Sequence, residues 1–248
     1  MLTGPMNLRA LAIGALLVSL VVGMASNVLF LAAFQFRIDW FLEPTRLLAA
    51  GALSADLLRW AAVLDLFGYY LATGVLAYVL WRLLRYRNAA VADLATAAAL
   101  GYTLIGGAGA AVLALVGPML MDGHEAATSA SAREVIATHF TVLLEVVWRS
   151  IWQFLDGILM AAWWLGIGML IRADHPGLSR LMYVLAVTAA LFSVLNAFGV
   201  GLGRDVALGL VFALWTAMWV WLLVLFLRRM DPFAPTRAQV ARRDEFAV

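Results

Sequence analysis

Residues 131–171 read SAREVIATHFTVLLEVVWRSIWQFLDGILMAAWWLGIGMLI, and the reading of this stretch decides the fold. It opens with Ser131 and, three positions later, Glu134, the capping-box spacing that starts a helix. No proline interrupts it before Arg172 and Pro176 close it. At ~1.5 Å per residue a continuous helix of this length reaches roughly 60 Å, about twice the hydrocarbon thickness of a bilayer. The expected structure is therefore a membrane-crossing helix that extends beyond one face. His139, Glu145, Arg149, Gln153 and Asp156 interrupt its apolar run. The last four are spaced by four, four and three residues, so an α-helix puts them on one face, with Glu145 and Arg149 as an i, i+4 ion pair in the favourable order.

The rest of the chain fits the same class. Of its 248 residues 65% are hydrophobic and 13% charged, and the mean hydropathy is +0.95, far from the balance of water-soluble domains. Apolar runs long enough to cross a bilayer recur from end to end. All 17 basic residues are arginine. The lack of lysine excludes a retinal or pyridoxal-phosphate Schiff base and a Walker-type phosphate site. No cysteine occurs, which excludes disulfides, thiolate metal sites and cysteine nucleophiles within the chain. A net charge of +2 without clustered basic stripes gives no nucleic-acid signature.

These runs make an all-α, polytopic bundle of six transmembrane helices in one domain, residues 1–230, with spans at 11–34, 60–81, 94–116, 136–171, 181–200 and 206–227. The first apolar run is too long for a signal peptide and is read as an uncleaved helix. Segment 35–54 is expected to lie at the interface, with Pro44 in the first turn of a short helix and Trp40 as an anchor. Ser54 is the expected cap of the second span, and Pro118 the expected end of the third, followed by a polar loop over 121–130. The short link 174–177 makes the fourth and fifth spans antiparallel neighbours. Gly199, Gly201 and Gly203 mark the turn into the sixth, and residues 231–248 form a cytoplasmic tail without a fixed fold.

Six spans put both termini on one side. That side carries 11 arginines (Arg9, Arg82, Arg85, Arg87, Arg172, Arg180 and the arginines from 228 to 243), against 5 opposite (Arg37, Arg46, Arg59, Arg133, Arg204). The positive-inside rule then makes both termini cytoplasmic. Depth is given by counting from each span's cytoplasmic arginine. Asp65 is 17 residues from Arg82, Asp156 is 16 from Arg172, Asn196 is 16 from Arg180, and Asn27 is 18 from Arg9. All four lie roughly 24–27 Å above the boundary, in the outer third of a core about 30 Å thick. Helices from four parts of the chain thus bring a carboxyl or amide to one level.

Carboxyls at that depth are costly unless paired, neutral or wet. The expected arrangement is a cleft opening outward, with Glu145 and Arg149 near its mouth and Asp65, Gln153 and Asp156 deeper, and with Asn27 and Asn196 orienting what binds. Small residues at Gly106, Gly107, Ala110 and Ala111 allow close helix approach and leave room for a ligand. Tryptophans 148, 152, 163, 164, 215, 219 and 221 supply apolar walls or, more commonly, interfacial anchors. Each polar group also has a plainer use as helix-to-helix glue. His124 and His139, with Asp122 and Glu125, are weak metal candidates whose spacing matches no ligand pattern, so no metal is expected. No cofactor is expected either.

Leu64-Asp65-Leu66-Phe67-Gly68-Tyr69-Tyr70, running into Trp81-Arg82-Leu83-Leu84-Arg85, is one recognisable passage. Trp163-Trp164-Leu165-Gly166-Ile167-Gly168, followed by Arg172 and His175-Pro176, is another. Together they resemble the bacterial six-helix membrane proteins grouped as domain of unknown function 4386. The resemblance implies the six-helix bundle and a bacterial inner membrane, and no activity.

The function expected from these residues is binding or translocation of a small molecule, lipid headgroup or ion at an outward-facing polar site, with protonation of Asp156 as the coupling step if transport occurs. The alternatives are an accessory subunit that docks on a membrane-protein partner or forms a homo-oligomer, and an intramembrane enzyme using Asp65 and Asp156 as an acid–base pair. The lack of a Gly-x-Ser-x-Gly elbow or metal constellation weighs against the enzyme.

Overall fold

The computed structural model describes residues 7–37, 40, 44–228 and 233. Among them every regular element is helical, and six helices are long and apolar enough to cross a membrane. We label them α1 (Leu8–Ala33), α2 (Ala52–Leu84), α3 (Ala89–Ala126), α4 (Ala130–Ile171), α5 (Pro176–Ala197) and α6 (Gly201–Arg228). The expected tail at 231–248 lies, apart from Phe233, outside the described residues.

Local chemistry explains most of the boundaries. Asn7 and Asn88 cap α1 and α3 by accepting from the amides of Ala10 and Val91. Pro176 occupies the first turn of α5, where its missing N–H costs nothing. Pro44 opens a 3-10 turn over Pro44–Ala49, as its fixed φ favours.

Several expected boundaries shift. The cap of α4 is Ser129, which accepts from the Ala132 amide at 3.2 Å, so the 131–134 capping box is not used. Gly51 at φ 87°, and not Ser54, precedes α2. Pro118 does not end α3, which continues to Ala126 and carries His124 on its last turn. A buried proline inside a helix is tolerated where neighbouring helices accommodate the freed carbonyl.

Three helices contain π-helical stretches: Ser19–Gly23 in α1, Leu66–Leu71 in α2 and Glu145–Leu155 in α4. The first two pack on each other at one crossing. A Cβ on Gly68 would fall on the backbone of Gly23, so this contact requires glycine at position 68, and a Cβ on Gly23 would press on the Tyr69 ring. Ser26 strengthens the same pair of helices by donating its hydroxyl to the Ala61 carbonyl at 2.9 Å.

Two apolar clusters fill the bundle. The first, near the termini, centres on Trp163 and Trp164, stacked at 3.9 Å, with Trp219 edge-on to Trp164 at 5.9 Å. The second, at the opposite end, holds Phe30, Phe34, Leu58, Phe140 and Trp148. Trp163, Trp164 and Trp219 are at most 1% exposed, so they are core residues and not interfacial anchors. Trp221 does face outward.

The end carrying the termini is closed by polar ties. Arg9 donates to the carbonyls of Phe226 and Leu227, clamping α1 to the end of α6. Arg87 pairs with Asp174 and donates to the Leu170 and Phe233 carbonyls. Tyr86 donates to the same Phe233 carbonyl, and the Phe233 ring is buried against Phe226 and His175.

The Gly68 crossing is directly testable. Gly68→Ala should destabilise the purified protein by about 1–3 kcal/mol through overpacking against backbone. Gly14→Ala, which has open space around it, should raise stability by about 0.5–1 kcal/mol through helix propensity. Thermal unfolding in detergent separates the two, and an unchanged melting point for Gly68→Ala would contradict the described contact.

Candidate functional site

Between the two apolar clusters lies a cavity of about 190 Å³ walled by all six helices. Asn27 and Phe30 come from α1, Asp65, Tyr69 and Tyr70 from α2, and Tyr102 from α3. The α4 wall holds Trp148, Trp152, Gln153 and Asp156, with Phe192 on α5 and Phe212, Trp215 and Thr216 on α6 completing it.

The carboxyls are the deepest polar groups. Asp65 is 8% exposed, Gln153 7% and Asp156 5%, so each has lost nearly all of its solvent. The Tyr70 hydroxyl donates to Asp156 Oδ2 at 2.8 Å, whereas Asp156 Oδ1 has no hydrogen-bond partner. Neither Asp65 nor the Gln153 amide has a protein partner among the described residues. No arginine or histidine among the described residues lines the cavity.

Gly106 on α3 makes the Tyr70–Asp156 bond geometrically possible. A Cβ there would overlap the Tyr70 ring and fall 2.6 Å from Asp156 Oδ2. The Gly106 carbonyl also accepts from the Trp152 indole at 3.2 Å, so α2, α3 and α4 meet at this one residue. The expectation that these small residues leave room for a ligand is thus corrected: at Gly106 the space is taken by Tyr70 and Asp156. Tyr70 in turn stacks near Tyr102 at 4.8 Å, and Trp215 stands edge-on to Tyr69 at 6.1 Å.

The structure gathers some of the expected residues and separates others. Asn27, Asp65, Gln153 and Asp156 share the cavity, and Asn27 donates to the Tyr69 hydroxyl at 2.7 Å. Asn196 is half-buried near the end of α5 and does not line it. Glu145 and Arg149 also stay outside: they pair with each other at 3.2 Å, at 50% and 51% side-chain exposure. The π-helical stretch Glu145–Leu155 explains this. Its i→i+5 bonding turns the chain less per residue than an α-helix, so the rotation summed from Glu145 to Asp156 no longer returns to one face. The Ser150 hydroxyl bonds the Glu145 carbonyl five residues back, in keeping with that geometry.

His139 is exposed on α4, and His124 sits half-buried at the end of α3. No group of three or more metal-ligating side chains occurs among the described residues. The aromatic residues Tyr69, Tyr70 and Tyr102 were not anticipated as site residues. Their signal was a phenol in mid-span, since a buried hydroxyl needs a partner there.

The fold is that of a multi-pass membrane protein, with a mostly apolar cavity between its helices that holds a few buried polar groups. The chain matches no protein-family model, no curated protein and no solved structure.

Removing the Tyr70 donor should be costly. Tyr70→Phe leaves a buried carboxyl oxygen without its bond and should lower stability by about 1–3 kcal/mol. Arg149→Gln breaks only a half-exposed pair and should change it by no more than about 0.5 kcal/mol. Equal melting shifts for the two variants would contradict the separation of chamber and surface pair.

Proposed function

We propose that this protein binds a small molecule in the chamber between its helices and carries or presents it within a bacterial cytoplasmic membrane, with both termini in the cytoplasm. The observation that carries the reading is a cavity lined by buried polar groups: Asp65 and Gln153, which no hydrogen bond joins to another of the described residues, and Asp156, whose Oδ1 is without a partner among them. A seam that served only packing would pair such groups with one another, because each unpaired polar atom in this setting costs on the order of kilocalories. Phe212 and Thr216 are exposed and Asn27 half-buried, which supports a mouth along α1 and α6. The opposite side of the chamber is floored by the tryptophan stack, which supports access from the outer half of the membrane alone. In this orientation α4, 42 residues long, rises past the outer face.

Native mass spectrometry of protein extracted gently from its own membrane tests the reading. A discrete ligand should be retained by the unaltered protein and lost from Asp156→Asn, while Glu145→Gln keeps it. A stoichiometric protein partner with no small ligand would overturn the proposal in favour of an accessory subunit. Because the chain has no cysteine, single cysteines placed at positions 85 and 133 check orientation. Only the one at 133 should react with an impermeant thiol reagent added to intact cells.

A further inference from the structure

Given a chamber that binds a small molecule, as proposed for this protein, its charge balance narrows the ligand. We infer that the chamber receives the ammonium group of an organic amine, held by Asp65, Asp156 and Gln153 among aromatic rings. Two carboxyls line it, both more than nine-tenths buried, and among the described residues no cationic side chain does. Their only protein hydrogen bond comes from a neutral phenol, Tyr70, among the described residues. The cation closest along α4, Arg149, is engaged with Glu145 at the surface. A buried carboxyl is kept neutral or is paired with a positive charge, and a cationic ligand would supply that charge here.

The walls select the kind of cation. Rings of Tyr69, Tyr70, Tyr102, Trp152, Phe212 and Trp215 line the space, and the negative face of such rings attracts a cation while disfavouring an anion. A metal ion would need several oxygen or nitrogen ligands to replace its hydration shell, and the described residues offer no cluster of three metal-ligating side chains. A phosphate or carboxylate would meet carboxyls and ring faces, with no arginine among the described residues to receive it. The acceptors that face the space are the Asp65 carboxyl, Asp156 Oδ1 and the Gln153 amide oxygen, enough to receive the three N–H bonds of a primary ammonium. That group can come from a soluble amine or from the headgroup of an aminophospholipid.

The test uses the full-length protein in nanodiscs of pure phosphatidylglycerol, with calorimetric titration of benzylammonium, benzyl alcohol and benzoate. Benzylammonium should bind saturably and at least about tenfold more tightly than the other two, in keeping with charge-assisted hydrogen bonds. Asp65→Asn and Asp156→Asn should each weaken it by about tenfold or more, and Glu145→Gln should leave it unchanged. The three-compound comparison on the unaltered protein stands even where a variant fails to fold. Equal binding of benzoate or benzyl alcohol would overturn the inference and leave the chamber as a site for another ligand. No saturable benzylammonium binding would overturn it too, and native mass spectrometry of the co-purified ligand decides whether the binding reading falls with it. Repeating the titration in nanodiscs containing phosphatidylethanolamine distinguishes the sources. Lost binding there means a lipid headgroup already holds the site, and retained binding means a soluble amine.

Discussion

The hydrogen bond from Tyr70 to Asp156 is the constraint around which the centre of this bundle is arranged. It joins α2 to α4 across a point where α3 offers Gly106 and therefore no side chain. The Trp152 indole reaches the Gly106 carbonyl from the other side, which fixes the ring that walls the chamber. Any side chain at position 106 would separate the three helices. The polar interior of the protein thus depends on the smallest residue in the helix that faces it. The same logic recurs one layer away, where the glycine contact between positions 23 and 68 brings two backbones together and sets how Asn27 meets Tyr69.

The π-helical stretches belong to the same arrangement. They occur at Ser19–Gly23, Leu66–Leu71 and Glu145–Leu155, and each lies within or directly before the part of its helix that lines the chamber. A π-turn costs hydrogen-bond geometry and is seldom kept without a positional purpose. In α4 the consequence is explicit. The stretch turns Gln153 and Asp156 inward while Glu145 and Arg149 remain at the surface as an ordinary exposed pair. A regular α-helix would carry all four to one face.

Much of this was legible in the amino-acid sequence, for identifiable reasons. Long apolar runs report on bilayer thickness, so the number of spanning helices follows from composition alone. Counting residues from flanking arginines measures depth, and that count brought Asn27, Asp65 and Asp156 to one level, where they line one chamber. It failed for Asn196, because depth says nothing of the direction in which a helix faces. It failed for Glu145 and Arg149 because their assignment assumed α-helical periodicity through a π-helical stretch. Pro118 misled in the opposite sense, since rules for helix ends in water overstate what a proline does inside a bundle. Trp163, Trp164 and Trp219 sit in the core because the bundle needs bulk beneath its chamber, and no periodicity distinguishes that from anchoring in lipid.

Charge is treated differently elsewhere in this protein, and the contrast weighs against a chamber made only for packing. At the end carrying the termini, Arg87 is also largely buried, and there the chain supplies everything the charge needs. Asp174 pairs with it, and the Leu170 and Phe233 carbonyls and the Tyr86 hydroxyl accept hydrogen bonds from it. Arg9 is likewise satisfied by the Phe226 and Leu227 carbonyls. Among the described residues no arginine lines the chamber, although the chain carries 17. Asp65 and Asp156 are therefore left without a counter-charge among the described residues, in a structure that provides one at its buried structural pair. An asymmetry of this kind is expected where the missing partner arrives from outside the protein, because a resident arginine would compete with it for the same carboxyls.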